Sequence, residues 1–279
     1  MASGTCGENL TWTLTDGTLV ISGTGDIDDA QNFFDPINEL IEQVIVEEGA
    51  TSIGDFVFSF CADLKSVALP DSLSKVGIGA FNFCESLTEI KIPANVSEIG
   101  KAAFCGCWSL KEITLPEKIS ALGENVFFNC AGLQAIKIPA GVRELGGSVF
   151  KGCESLTSVT LPDGLTKIGA GAFEGCESLT EIKIPASVVE VGEGVFNFCS
   201  SLEKIFCAAN FGFEKILSTG NNAQLIPTIN EPTTSETTWH LDGDTLTIIS
   251  ADKLKSLSHD ENAPWYDRRE SIKKIIIES

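Results

Sequence analysis

The chain has 279 residues, 43% of them hydrophobic and 21% charged, with a formal net charge of −20. That balance belongs to a folded protein with material for a large core, and the charge opposes binding to nucleic acid or to anionic membranes. No apolar run approaches the ~20 residues that a membrane-spanning helix needs, and no signal-peptide pattern follows Met1-Ala-Ser, so a leader is expected to have been removed.

Residues 1–40 read as a β-hairpin cap module. Two alternating runs within Leu10–Ser22 flank Asp16-Gly17, a dipeptide suited to a two-residue turn. Gly23–Asp29 reads as a polar loop. Its acids lack the glycine and distal glutamate of a calcium loop, so no metal is assigned. Gly23-x-Gly25 lacks the third glycine and the helix of a dinucleotide motif, and no cofactor is implied. Residues 1–64 contain twelve acids and no Lys or Arg. Such an end attracts cationic partners, unless it serves only solubility.

From 41 to 217 the chain repeats every 23 residues, the sign of a stacked solenoid. Cys61, Cys84, Cys107, Cys130, Cys153, Cys176 and Cys199 mark the period. A phenylalanine lies three residues before each, and a glycine column runs Gly54, Gly77, Gly100, Gly123, Gly146, Gly169, Gly192. Each unit begins Leu-x-x-Ile-x-Ile-Pro. Ile90 and Ile92 alternate with Glu89 and Lys91, as in a strand with one buried face. Proline ends the strand because it has no N–H to donate. Val96 and Ile99 lead to Gly100, read as a turn glycine at positive φ. Ala103-Phe104 and Cys107 then point inward on a short helical or irregular segment. A single unit cannot bury its own apolar face, so the units stack. Each rung buries six or seven apolar side chains at ~1.5–3 kcal/mol apiece before ordering entropy is subtracted. Leu-Pro and Ile-Pro rungs alternate, and the outward strand residue alternates with them: Ala68, Lys91, Thr114, Lys137, Thr160, Lys183. The array therefore reads as copies of a 46-residue pair.

Ten cysteines raise the question of disulfides. Seven form one inward column, where cysteine serves as a small buried apolar residue. Stacked equivalents sit ~4.8 Å apart with parallel Cβ vectors, wider than the ~3.8 Å a disulfide favours, and a line of thiols cannot make a tetrahedral zinc site. Free thiols are expected. Cys6, Cys105 and Cys207 lie off the column and their pairing stays open.

Beyond Leu202 the repeat fades. Lys204–Cys207 reads as a last strand, Phe211–Leu217 as a short capping helix, and 218–236 as a polar linker. Residues 237–279 read as a second copy of the cap module, since Thr238–Ile248 matches Thr11–Ile21 and Ile275–Ile277 matches Val44–Val46. The chain is thus expected to end where a second array begins. The 275–279 edge then becomes a place for self-association.

Two surfaces are candidate binding sites. The first is the exposed sheet: Glu89, Lys91, Glu112, Thr114, Lys137, Thr160, Glu181 and Lys183, with Ser158 between them. The second is an apolar patch of Phe83, Cys105, Trp108 and Phe128. Against the first stands cross-rung pairing that merely keeps a sheet soluble; against the second stands packing over neighbouring rungs. No catalytic residues are assigned. His240 and His259 are the two histidines, both outside the array, and no nucleophile–base arrangement assembles.

The Leu-x-x-Ile-x-Ile-Pro strand, the Ile-Gly turn and the Ala-Phe-x-x-Cys segment, over 41–202, resemble the leucine-rich repeats of BspA-like bacterial surface proteins. The resemblance implies a curved leucine-rich-repeat solenoid with flanking cap modules, displayed outside the cell, in a family associated with adhesion. It implies a host or matrix protein, or a glycan, as partner, without catalysis. The alternative is a passive spacer in a longer surface protein.

Overall fold

The computed structural model describes residues 1–29, 34 and 37–207, and the strand backbones of 224–227, 238–242, 245–249 and 274–278. The chain opens with three strands: β1 (Ala2–Gly7), β2 (Asn9–Thr15) and β3 (Thr18–Ile27). β1–β2 and β2–β3 pair antiparallel. Asp16 and Gly17 both adopt positive φ (48° and 78°), which lets the two-residue turn follow the strand twist. Gly23–Ile27 is not the loop read from its composition. It continues β3, because Gly25–Ile27 pairs with the first rung at Ala50–Ile53. The hairpin therefore covers the open edge of the array.

Each rung then supplies up to two strands. The first has β4 (Gln43–Val46) and β5 (Ala50–Ile53), the second β6 (Ser66–Ala68) and β7 (Lys75–Val76), the third β8 (Glu89–Lys91) and β9 (Glu98–Ile99). The fourth has only β10 (Glu112–Thr114). The fifth has β11 (Ala135–Lys137) and β12 (Glu144–Leu145), the sixth β13 (Ser158–Thr160) and β14 (Lys167–Ile168), the seventh β15 (Glu181–Lys183) and β16 (Glu190–Val191). β17 (Lys204–Cys207) is a strand as predicted, but not the last of its sheet. This is a β-solenoid with parallel pairing between rungs. The predicted helical segment of each unit is a run of tight turns, and the sole helix among the described residues is the 3-10 turn Asn38–Leu40.

On the first sheet, strand pairing joins β4–β6, β8–β10, β11–β13 and β15–β17, and is absent between β6 and β8, β10 and β11, and β13 and β15. The two internal ladders, β8–β10 and β11–β13, end after two rungs, so there the spacing of 46 residues seen in the sequence also appears in the strand pairing; β3 and Gln224–Pro227 extend the two end ladders.

The core is a stack. Phe58, Phe81, Phe104, Phe127, Phe150, Phe173 and Phe196 are fully buried, with successive ring centroids 5.3 to 5.7 Å apart. Phe34 extends it at 5.9 Å and Trp12 closes it edge-on at 5.4 Å. All ten cysteines are free thiols, Cys6 and Cys207 buried and Cys105 half-buried. The column cysteines are more than apolar filler. From Cys84 to Cys199 each Sγ donates to the carbonyl of the phenylalanine 26 residues earlier, at 3.0 to 3.3 Å.

The glycine column also differs from its reading. None of Gly54, Gly77, Gly100, Gly123, Gly146, Gly169 or Gly192 has positive φ. They are glycines because the rungs touch there: a Cβ on Gly77 would lie 2.5 Å from the carbonyl carbon and oxygen of Gly54. Positive φ falls in two other columns. One is Phe56, Gly79, Ala102, Asn125, Ser148, Gly171, Gly194; the other is Phe60, Phe83, Gly106, Asn129, Gly152, Gly175, Phe198.

Past β17, Gln224–Pro227 forms β18, parallel to β17, where a linker was expected; its Leu-Ile-Pro ending matches that of the array strands. The capping helix expected at 211–217 lies outside the described residues. β19 (Thr238–Asp242) and β20 (Thr245–Ile249) pair antiparallel, and β21 (Lys274–Glu278) runs parallel to β20. β2, β3 and β4 pair in the same senses, and Ile248 faces Ile277 as Ile21 faces Val46.

Candidate functional site: the first sheet

The strands of the first sheet bury their central residue and expose the two that flank it. Ile90, Ile113, Ile136 and Ile182 point into the core, and Glu89, Lys91, Glu112, Thr114, Lys137, Thr160, Glu181 and Lys183 are all exposed. An open groove of about 820 Å³ crosses the junction of β10 and β11, where the ladder is interrupted. Of the predicted residues it brings together Glu89, Glu112, Thr114, Lys137 and Thr160, along with Ser158. Lys91, Glu181 and Lys183 are not part of its lining. Thr88, Lys111 and Gln134 are, and sequence reasoning missed them. They share one column, immediately before the first strand residues Glu89, Glu112 and Ala135, so the period itself was the signal that could have found them.

Charge separates this sheet from the second one. On the second sheet Lys75 faces Glu98 and Lys167 faces Glu190 in register, at 3.2 and 2.8 Å. Those charges neutralise each other. On the first sheet Glu89 stacks against Glu112, Lys91 against Thr114 and Lys137 against Thr160. Lys137 reaches Glu117 at 3.4 Å. Lys91, Lys183, Lys111, Glu89, Glu112 and Glu181 make no ion pair among the described residues. The cross-rung pairing weighed against a binding role operates on the second sheet and, on the first, between Lys65 and Glu42 at 2.6 Å in the first two rungs, while the groove keeps Lys111, Glu89 and Glu112 without an ion pair among the described residues, beside hydroxyls and an amide.

The predicted apolar patch is rearranged. Phe83, Cys105 and Phe128 are half-buried, and the Phe83 N–H donates to the Cys105 carbonyl at 2.7 Å. Trp108 is 47% exposed and has no ring partner among the described residues. The aromatic neighbour of Phe83 is instead Phe60, stacked at 5.3 Å.

The acids of the N-terminal end act on the backbone and hydroxyls of the next rung. Asp26 Oδ1 accepts from Thr51 and Ser52 hydroxyls at 2.6 Å each, which holds its carboxyl below the usual carboxylate range. Asp29 and Asp55 accept from the N–H groups of Asp55 and Ile78. Among the described residues no cluster of three or more His, Cys, Asp or Glu side chains could hold a metal ion, and no helix is long and apolar enough to cross a membrane.

The stacked 23-residue rungs, with one exposed strand face each, define a leucine-rich-repeat solenoid. Residues 30–154 and 121–219 match the family described as BspA type leucine rich repeat region, in six copies, and the chain belongs to that family. Its repeats and fold are typically non-catalytic. Among solved structures, a leucine-rich repeat protein of T. pallidum is 25% identical with a TM-score of 0.54, over 62% of this chain and 88% of its own. A leucine-rich repeat protein from Eubacterium ventriosum ATCC 27560 is 22% identical with a TM-score of 0.40, over 81% and 75%. A leucine rich cell surface protein from Faecalibacterium prausnitzii A2-165 is 18% identical with a TM-score of 0.34, over 82% and 96%. No curated protein matches the sequence.

Proposed function

We propose that this chain is a non-catalytic recognition module of a bacterial surface protein, acting outside the cell. It binds a host or matrix protein, or a glycan, through the groove on the first sheet. The carrying observation is the contrast between the two sheets: one neutralises its own charges, and the other leaves Lys111, Glu89 and Glu112 unpaired around a groove rimmed by Thr114, Gln134, Ser158 and Thr160. Such a lining presents donors and acceptors without a histidine or a thiol among them. It suits a polar, extended ligand that lies across several rungs, which is how stacked repeats commonly bind.

The test is a panel of extracellular-matrix proteins and glycans at physiological salt, with the wild-type chain beside Lys111→Glu/Lys137→Glu. Saturable binding that falls about tenfold or more in the double variant, with the melting temperature retained, supports the reading. A folded wild-type chain that binds nothing on the panel favours the spacer instead.

A further inference from the structure

The first two rungs carry aromatic residues where the backbone disfavours them. Phe56, Phe60 and Phe83 have φ of 58°, 62° and 56°. Bulky side chains rarely adopt this left-handed region. In the same two columns, other rungs hold Gly79, Gly171, Gly194, Gly106, Gly152 and Gly175. Glycine is thus available in this sequence at the same turns and is not used here. The rings are only partly covered in return, Phe83 being half-buried. Phe56 is 47% exposed and lies over Gly79; Phe60 is 57% exposed and stacks on Phe83, which lies over Gly106. Ile78, whose carbonyl accepts the Phe56 N–H, is 40% exposed beside them. Strain kept at exposed aromatics points to a use outside the core.

The surroundings specify the partner. Asp55, Asp63 and Glu85 adjoin these residues in sequence and make no ion pair among the described residues. No Lys or Arg precedes Lys65, and Lys65 is engaged by Glu42 at 2.6 Å. The surface therefore combines ring faces with carboxylates that make no ion pair, and its neighbouring cations, Lys65 and Lys101, are held by Glu42 and Glu124 at 2.6 and 3.0 Å. Guanidinium groups meet both requirements, since they stack on rings and donate to carboxylates. A second copy of this chain does not fit, because its net charge of −20 opposes like meeting like.

We infer that Phe56, Phe60, Phe83 and Ile78 form a second docking surface, separate from the groove, for a basic segment of a partner protein in which arginines alternate with apolar residues. The probe is a labelled ten-residue peptide alternating arginine and leucine, with glutamate–leucine and arginine–glycine peptides as controls. The triple variant Phe56→Gly/Phe60→Gly/Phe83→Gly places glycine where other rungs already have it, so the fold is retained and its melting temperature confirms this. The expected result is saturable binding of the arginine–leucine peptide, weakened about tenfold or more by the triple variant and by Asp63→Lys. Lys111→Glu/Lys137→Glu in the groove leaves it unchanged. Absence of binding, equal binding by the folded triple variant, or equal binding of either control peptide overturns the proposal. Should the triple variant lose its cooperative melt, Phe60→Gly alone is the deciding variant, and unchanged affinity there overturns the proposal equally.

Discussion

The thiol of Cys107 donates to the carbonyl oxygen of Phe81 at 3.1 Å, one rung away and within the fully buried core. The same bond recurs from Cys84 to Cys199, so the cysteine column links consecutive turns through side chain as well as backbone. Alanine at 107 removes the donor and leaves a void beside a carbonyl that then keeps only the Cys84 N–H at 3.3 Å. Cys107→Ala is expected to lose about 1–3 kcal/mol. Serine restores a donor on a shorter side chain and is expected to fall between the two. Denaturant titration of the three proteins checks the order; alanine as stable as cysteine would show that the thiol acts by volume alone.

The same burial sets an alkaline limit. It pushes the thiols of Cys61, Cys199 and Cys207 up to about 12 and that of Cys6 up to about 11, and holds Cys84, Cys130 and Cys176 well above the ordinary thiol range. In the unfolded chain a thiol titrates near ~8.5. Above that the unfolded state has lost protons that the folded state keeps, so stability falls with pH. The contribution is complete below ~8.5 and is lost as pH rises toward about 12, on the order of 1.4 kcal/mol per pH unit for each thiol. Melting temperature is expected to hold between pH 6 and 8 and to drop steeply above 9. A thiol-specific disulfide reagent at pH 8 should reach at most the half-buried Cys105 in the native protein, and all ten cysteines in denaturant. Rapid modification of most thiols in the native state would refute both expectations.

The period and the strands of the first sheet were legible because seven copies of Phe-x-x-Cys and six strands ending in Leu-Pro or Ile-Pro leave little freedom. The second sheet was not: Glu98–Ile99 is two residues long, too short to show an alternation. The glycine column was visible and its cause was not. Positive φ and close backbone approach both select glycine, and only the neighbouring rung distinguishes them. The left-handed columns were in view as Gly106, Asn129, Gly152 and Gly175, and that spacing would have marked Phe60, Phe83 and Phe198 as outliers. The groove was half legible. Outward residues follow from alternation, but the interruption between β10 and β11 that places the groove has no local sequence signature.

The glycine column yields a paired prediction. A Cβ on Gly100 would lie 2.5 Å from the carbonyl carbon of Gly77, an atom fixed by the core on both sides. At Gly123 it would meet nothing nearer than Lys101 Cγ at 3.3 Å, part of an exposed side chain whose amine pairs with Glu124 at 3.0 Å. Gly100→Ala is expected to destabilise by about 3 kcal/mol or more. Gly123→Ala should change stability by no more than about 0.5 kcal/mol, helped by the reduced freedom of the unfolded chain. Equal effects in calorimetry would mean that the rungs are as close at Gly123 as elsewhere.

Phe198 shows what the left-handed turn costs where no ring answers it. Its φ is 59°, its side chain is 72% exposed, and it has no ring partner among the described residues. Little burial is lost on replacing it. Asparagine tolerates this conformation, as Asn129 does at φ 56° in the same column. Phe198→Asn is expected to stabilise by about 0.5–1 kcal/mol. Phe198→Gly should come out near neutral, because glycine releases the strain but gives the unfolded chain more freedom to lose. Phe198→Val keeps the strain and adds a branched Cβ, so it should destabilise by about 1 kcal/mol. The order Asn, Gly, Phe, Val in melting temperature is the expected outcome. Valine at or above phenylalanine would mean that backbone strain does not govern this column, which would also remove the reason for reading Phe56, Phe60 and Phe83 as retained for binding.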